Sequence, residues 1–156
     1  DQKESFDYLR KEDAHFTIHA GEAASVESMV DAITHCRADR IGHGVRLIDE
    51  IDASADSPIL SDIAKMILDQ QIHLEMAPTS NLQTGASASY SSHPAALLYS
   101  LGFNVALNTD NRLMSNTSLS NEYKVMSEAH RWSDADIEKM NSNALKAIFD
   151  QEYAGS

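Results

Sequence analysis

Four times along the chain, a short apolar run of strand-forming residues breaks off into polar residues and glycine, and helical stretches fill the gaps. His15-Phe16-Thr17-Ile18-His19-Ala20 ends at Gly21, and Arg40-Ile41-Gly42-His43 ends at Gly44. Ile72 to Met76 stops at Pro78, and Phe103 to Leu107 runs into Asn108-Thr109-Asp110-Asn111. Between them, Ala24 to Cys36 places Val26, Met29, Val30 and Ile33 on one side of a helix. Ile59 to Gln71 repeats the pattern with Ile59, Leu60, Ile63, Ala64, Ile67 and Leu68, and Pro94 to Leu101 is helical up to a capping Gly102. Two more helices are expected, over Ser118 to Arg131 and Ser133 to Phe149, the second opened by a Ser133/Asp136 capping box. Asp49 to Ser57 reads as an acidic turn, with Asp49 to Asp56 a solvated loop, and Ser80 to Ser92 as a loop of small residues. Strand and helix alternating every 25–30 residues or so imply successive βα units in a parallel sheet. A closed (β/α)8 barrel takes about 250 residues. Periodicity therefore leaves two architectures open for these 156 residues, a small open doubly wound sheet and half a barrel.

Charge and composition narrow the functions. A net charge of −12 opposes binding to nucleic acid or to an anionic membrane, both of which need a basic face. No apolar run approaches the ~18 residues of a membrane-spanning helix, and charged Asp1 to Asp13 lack a signal-peptide pattern. The single cysteine, Cys36, excludes an internal disulfide and fits a reducing, cytoplasmic setting. These features suit a protein that handles a neutral or small substrate.

Parallel αβ folds place active sites at the carboxyl ends of their strands, where all four polar clusters fall. Taken singly, each residue has a plain structural explanation. His19 could be structural, Glu22 could decorate a helix start, and Asp110-Asn111 could be turn chemistry. Gly42 and Gly44 flank His43 and let backbone or a ligand come close. The four clusters converge if the strands are parallel neighbours, and convergence favours chemistry. Histidine nitrogen and aspartate oxygen both suit Zn²⁺, which keeps one position for water and lowers its pKa towards ~7. A second histidine that does not bind metal can accept that water's proton or hold the hydroxide, and a glutamate of raised pKa can protonate a substrate. His19 and Asp110 suit the first task, His43 the second and Glu22 the third. Two protein ligands are too few, since hydrolytic zinc sites normally have at least three.

The motifs His19-Ala20-Gly21-Glu22, Arg40-Ile41-Gly42-His43-Gly44-Val45, Pro78-Thr79-Ser80-Asn81-Leu82-Gln83-Thr84-Gly85-Ala86 and Leu107-Asn108-Thr109-Asp110-Asn111 resemble those of adenosine deaminases of the amidohydrolase superfamily. They stand in the family's order and spacing over nearly the whole chain. The resemblance implies an α/β fold, the C-terminal half (strands 5–8) of a TIM-like (β/α)8 barrel with terminal helices, as a single partial domain over residues 1–156. It implies one Zn²⁺ ion held by His19 and Asp110. Glu22 would donate a proton to purine N1, and Gly21 would offer its N–H to N3. His43 would orient and help deprotonate the attacking water, and Asn111 would face N7. The implied reaction converts adenosine or 2′-deoxyadenosine to the inosine nucleoside and ammonia.

Asn111 replaces the second aspartate of many family members. N7 is an acceptor, and an asparagine amide donates to it at any pH. The family's His-x-His, which supplies two further zinc ligands from the first strand, does not occur here. The fourth-strand glycine loop on the ribose side is also missing, and Asp1 to Glu12 reads as the end of the fourth helix. The expected partners are a purine nucleoside and, for the exposed sheet edges, a missing N-terminal half-barrel or another copy of the chain. Alone, the chain is expected to be inactive. Two alternatives stand beside this reading: a deaminase of adenine or of a modified purine, and a non-catalytic assembly module. Gly42-His43-Gly44, where free-adenine relatives tend to have Asp-His-Gly, and Gln83-Thr84-Gly85-Ala86 favour the nucleoside branch. A cytidine-type zinc deaminase needs a Pro-Cys-x-x-Cys pair, which one cysteine cannot supply. Trp132 and Tyr123 are expected to pack helices, and His35, His73, His93 and His130 to be surface or packing residues. Cys36 is expected on a buried helix face.

Overall fold

A computed structural model describes residues 2–54 and 57–149. Helix α1 (Gln2–Lys11) leads into β1 (Thr17–Ala20), α2 (Glu27–Thr34) and β2 (Arg40–His43). A 3₁₀ turn, Val45–Glu50, precedes a small hairpin of β3 (Ile51–Asp52) and β4 (Ile59–Leu60). Then come α3 (Asp62–Asp69), β5 (His73–Met76), α4 (Pro78–Gln83), α5 (Pro94–Ser100), β6 (Val105–Leu107), α6 (Arg112–Ser115), α7 (Leu119–His130) and α8 (Asp134–Lys146). Among the described residues, no helix is long and apolar enough to cross a membrane.

β1, β2, β5 and β6 form one parallel sheet in that order. The order decides between the two architectures left open by periodicity. A doubly wound sheet reverses direction at a switch point and carries helices on both faces. Here the strands follow chain order without reversal, and right-handed crossovers then place every connecting helix on one face. That is the arrangement of a barrel wall. The register puts Ile18, Ile41, Leu74 and Val105 in one row, and the last three are fully buried. They meet Met29, Ala64, Ile67, Ala95 and Leu98 from α2, α3 and α5 in the core. The opposite row is His19, Gly42, Glu75 and Ala106, with Thr17 and Arg40 one layer below. Arg40 pairs with Glu75 at 2.9 Å and donates to Thr17 Oγ1 at 2.9 Å, so this face holds its polar groups in partnership.

Several boundaries differ from expectation for local reasons. α3 begins at Asp62, not Ile59, because Ser61 is its N-cap and accepts from the Ala64 N–H at 3.1 Å. Ile59 and Leu60 instead pair antiparallel with Asp52 and Ile51. The acidic stretch is therefore a 3₁₀ turn and a hairpin strand rather than a plain loop; its Ala55 and Asp56 lie outside the described residues. The Ser80 to Ser92 segment is also not a continuous loop. Pro78 starts α4, and Ser89 caps a 3₁₀ turn at Tyr90–Ser92. Cys36 lies past the end of α2 and is half-buried, not on a buried helix face. The Ser133/Asp136 capping box forms as expected, and Tyr123 and Trp132 pack into the core.

Candidate active site

Strand alternation directs His19 to the same face as Gly42 and Glu75. His43 would follow the opposite course if β2 continued. Its left-handed backbone (φ 70) ends the strand, and its ring lies 5.1 Å from that of His19. A second left-handed residue, Gly44 (φ 73), follows at once, and a Cβ there would meet Leu74 Cδ2 at 3.1 Å and Met29 Cε at 3.2 Å. Asp110 is likewise left-handed (φ 52), and its Oδ2 accepts a 2.7 Å bond from the buried Ser80 hydroxyl. His19, His43 and Asp110 thus border one cavity of about 200 Å³, with Gly42, Glu75, Ala77 and Asn108.

Glu22 stands beside this cavity, its Oε2 at 3.5 Å from His43 Nε2. Its Oε1 accepts from Asn81 Nδ2 at 2.7 Å and from Thr84 Oγ1 at 3.0 Å. Burial holds His43 below the ordinary histidine pKa, outweighing the opposing field of Glu22. The ring is therefore biased to its neutral form.

Two predicted residues have structural duties as well. The Gly21 N–H is donated to Ser28 Oγ at 2.9 Å, and a Cβ at Gly21 would fall 2.4 Å from Met29 Sδ. Its φ of 64 adds a second reason for glycine. Asn111 caps α6, its Oδ1 accepting from the Leu113 and Met114 N–H groups at 3.2 Å each. That bonding commits the amide oxygen and leaves the amide nitrogen as the group for other use.

The donor set fits half a zinc site. His19 offers an imidazole and Asp110 a carboxylate at the rim of a shared cavity, and both are solvent-exposed on the open face of the sheet. Among the described residues, no three His, Cys, Asp or Glu side chains cluster as a complete shell requires.

Reading the sequence missed Asn81 and His93. Asn81 is fully buried and touches Glu22, His43 and His93. His93 is no incidental packing residue: it is 2% exposed, N-caps α5 and bonds Asn81. The signal was present in His93-Pro94, a polar residue before a helix-starting proline. His73 is buried against Asn104, His130 bonds the Tyr90 carbonyl, and His35 is exposed.

The adenosine deaminase family model matches residues 1–154. The chain belongs to the adenosine deaminase family. It is 47% identical over 147 residues to adenosine deaminase 1 of Streptomyces coelicolor and 48% identical over 147 residues to adenosine deaminase of Mycobacterium leprae. Each alignment covers 94% of this chain, but 37% and 41% of the relative. The chain thus spans about two fifths of the length of these relatives. Among solved structures it resembles an adenine deaminase from Arthrobacter aurescens, with TM-score 0.85 at 19% identity, covering 95% of this chain and 42% of that one. An Arabidopsis N6-mAMP deaminase gives 0.78 at 25%, covering 97% and 42%. An amidohydrolase from Burkhoderia ambifaria with bound Zn gives 0.81 at 18%, covering 97% and 40%. The fold is that of these solved structures, here as a partial barrel, and the amidohydrolase structure among them holds Zn.

Proposed function

We propose that this chain supplies the C-terminal half of a zinc-dependent barrel that deaminates adenosine and 2′-deoxyadenosine to inosine and 2′-deoxyinosine. The observation that carries the reading is the convergence of His19, Glu22, His43 and Asp110 at the carboxyl ends of one sequentially ordered parallel sheet. In the complete barrel His19 and Asp110 hold one zinc ion together with two ligands from the other half. Bound zinc supplies Lewis acidity that makes hydroxide available near neutral pH.

This chain's own residues supply the rest. Glu22 protonates purine N1, which draws electrons from C6 and opens that carbon to attack. His43, held neutral by burial, orients the attacking oxygen. C6 becomes tetrahedral; of the two protons of the attacking water, one passes to the amino group, which leaves as ammonia, and the other restores Glu22, while the oxygen remains on C6. Asn111, with its oxygen committed to the α6 cap, turns its amide N–H to purine N7. Gly21 lines the purine edge, and its N–H can reach N3 if Ser28 gives it up. The complementing half is an N-terminal half-barrel or a second copy of the chain.

The test joins this chain to an N-terminal half-barrel carrying His-x-His and follows adenosine by its ultraviolet absorbance. Conversion to inosine is expected. Conversion of adenine or N6-methylated purines without adenosine would move the reading to another purine. Asn111→Leu in the same barrel should weaken turnover at least about tenfold, the loss of one buried hydrogen bond of roughly 1.5 kcal/mol. Unchanged turnover would remove Asn111 from the site.

A further inference from the structure

A line of hydrogen bonds runs from the main chain of α5 to His43, which lines the cavity, and to Glu22 beside it, and its direction is fixed at one end. The Ala95 N–H can only donate, and it lies 3.2 Å from His93 Nδ1. Nδ1 is then the acceptor of a neutral ring, and the His93 proton sits on Nε2. Nε2 lies 3.2 Å from Asn81 Oδ1, which accepts it. The orientation of the Asn81 amide follows: its nitrogen faces Glu22 Oε1 at 2.7 Å and His43 Nδ1 at 3.1 Å. A flipped amide would set its oxygen against the Glu22 carboxylate and leave both His93 Nε2–H and amide N–H facing one another. Asn81 is fully buried and His93 nearly so, so water cannot substitute for either partner.

We propose that His93 and Asn81 are positioning residues that set the tautomer of His43, holding its proton on Nε2, towards Glu22 and the cavity. The assignment rests on the reading of this site as a deaminase and adds to it which atom of each side chain meets the substrate. His43 Nδ1 accepts from Asn81, so Nε2–H is the group His43 presents: it donates to the attacking oxygen and orients it, and does not take its proton as the sequence led one to expect. Glu22 Oε1 already accepts from Asn81 and Thr84. Oε2, 3.5 Å from His43 Nε2, is therefore the oxygen from which Glu22 gives its proton to the purine ring. The same two bonds keep the Glu22 and His43 side chains in a fixed relation. Neither Asn81 nor His93 borders the cavity shared by His19, His43 and Asp110, and each acts through its neighbours.

The experiment uses the complete, zinc-loaded barrel with 15N-labelled histidine. Two-bond 15N–1H correlation spectra report which ring nitrogen of His43 and His93 carries the proton, without reference to turnover. Both rings are expected as neutral Nε2–H tautomers. His93→Phe removes the donor to Asn81, and should leave His43 as a mixture of tautomers. It should also lower kcat at least about tenfold, with KM within about threefold, a part of the roughly 10²–10⁴ that a positioned proton-transfer group contributes. His93→Gln can still donate an N–H to Asn81 and should keep the His43 tautomer of the unmodified barrel. An Nδ1–H tautomer of His43 in the unmodified barrel would overturn the assignment, as would His93→Phe with both tautomer and kcat unchanged. If the unmodified barrel turns over no adenosine, the deaminase reading fails by itself, and the ring spectra still decide the tautomer. If His93→Phe does not fold, the spectrum of the unmodified barrel decides alone.

Discussion

His93 illustrates how a single side chain can couple the stability of the domain to pH. Burial, reinforced by His130 and His43, pushes its pKa down from 6.5 to about 4. The unfolded chain therefore binds the proton first as pH falls, and stability is complete above about 6.5 and declines through the window down to about 4. A shift of this size corresponds to about 3 kcal/mol at full effect. Urea unfolding midpoints are expected to fall between about pH 7 and about pH 4, and His93→Gln should flatten that decline. His15 works in the opposite sense at the surface. Its hydrogen bond to Asp39 at 3.0 Å raises its pKa. Its contribution is present below the unfolded value and disappears as pH rises through the folded one. Gly21 makes a different prediction. Gly21→Ala must place a Cβ 2.4 Å from Met29 Sδ, on a side chain with no exposure, at a φ of 64. A loss of about 1–3 kcal/mol is expected in denaturant melts. A neutral result would mean that Met29 has room to move.

The short α4 is the element that organises the site, and its own residues scarcely announce it. Residues 80–92 are small and polar, a composition that reads as loop, yet α4 buries Ser80 and Asn81 beneath the strand ends. It is anchored from the outside by α7. The buried Glu122 carboxylate accepts from the Thr79 N–H at 2.9 Å and from the Thr117 hydroxyl. Thr79 precedes Ser80, which holds Asp110, so α7 is tied to the rim of the cavity through two consecutive residues. Glu122→Ala leaves a buried main-chain N–H without a partner, and should cost about 1–3 kcal/mol by chemical denaturation. Glu122→Gln, which keeps an acceptor oxygen, should recover part of it. Equal stability of the two variants would deny the carboxylate this anchoring role. By contrast the starts of α5 and α8 were legible, because Pro94 and the Ser133/Asp136 box are local signals that need no tertiary partner, whereas α8 stops at Lys146, short of the expected Phe149.

At the scale of the molecule, one face of the sheet is covered by helices and the other carries a polar row that ends at exposed His19 and Asp110. β1 and β6 are the outer strands of the described sheet, and an edge strand offers unpaired main-chain groups to another chain. The prediction is that zinc content and adenosine turnover both rise when an N-terminal half-barrel with His-x-His is added. Zinc bound tightly by this chain without a complement would count against a site shared between halves. Loss of turnover on treatment of the complete barrel with a chelator, and its return with zinc, would place the metal in the reaction.

The sequence by itself determined the βα alternation, the Ser133/Asp136 cap and the polar cluster at each strand end, since each depends on residues close together in the chain. It also carried the motifs that mark the family. Tertiary structure alone decided the strand order that separates a barrel wall from a doubly wound sheet, because order is a property of pairing between distant segments. It alone turned His43 into the cavity, through a left-handed residue that strand alternation cannot foresee. And it alone brought His93 to Asn81, and Asn81 to Glu22, 59 positions away, because the direction of a buried hydrogen-bond chain exists only once its members are packed together.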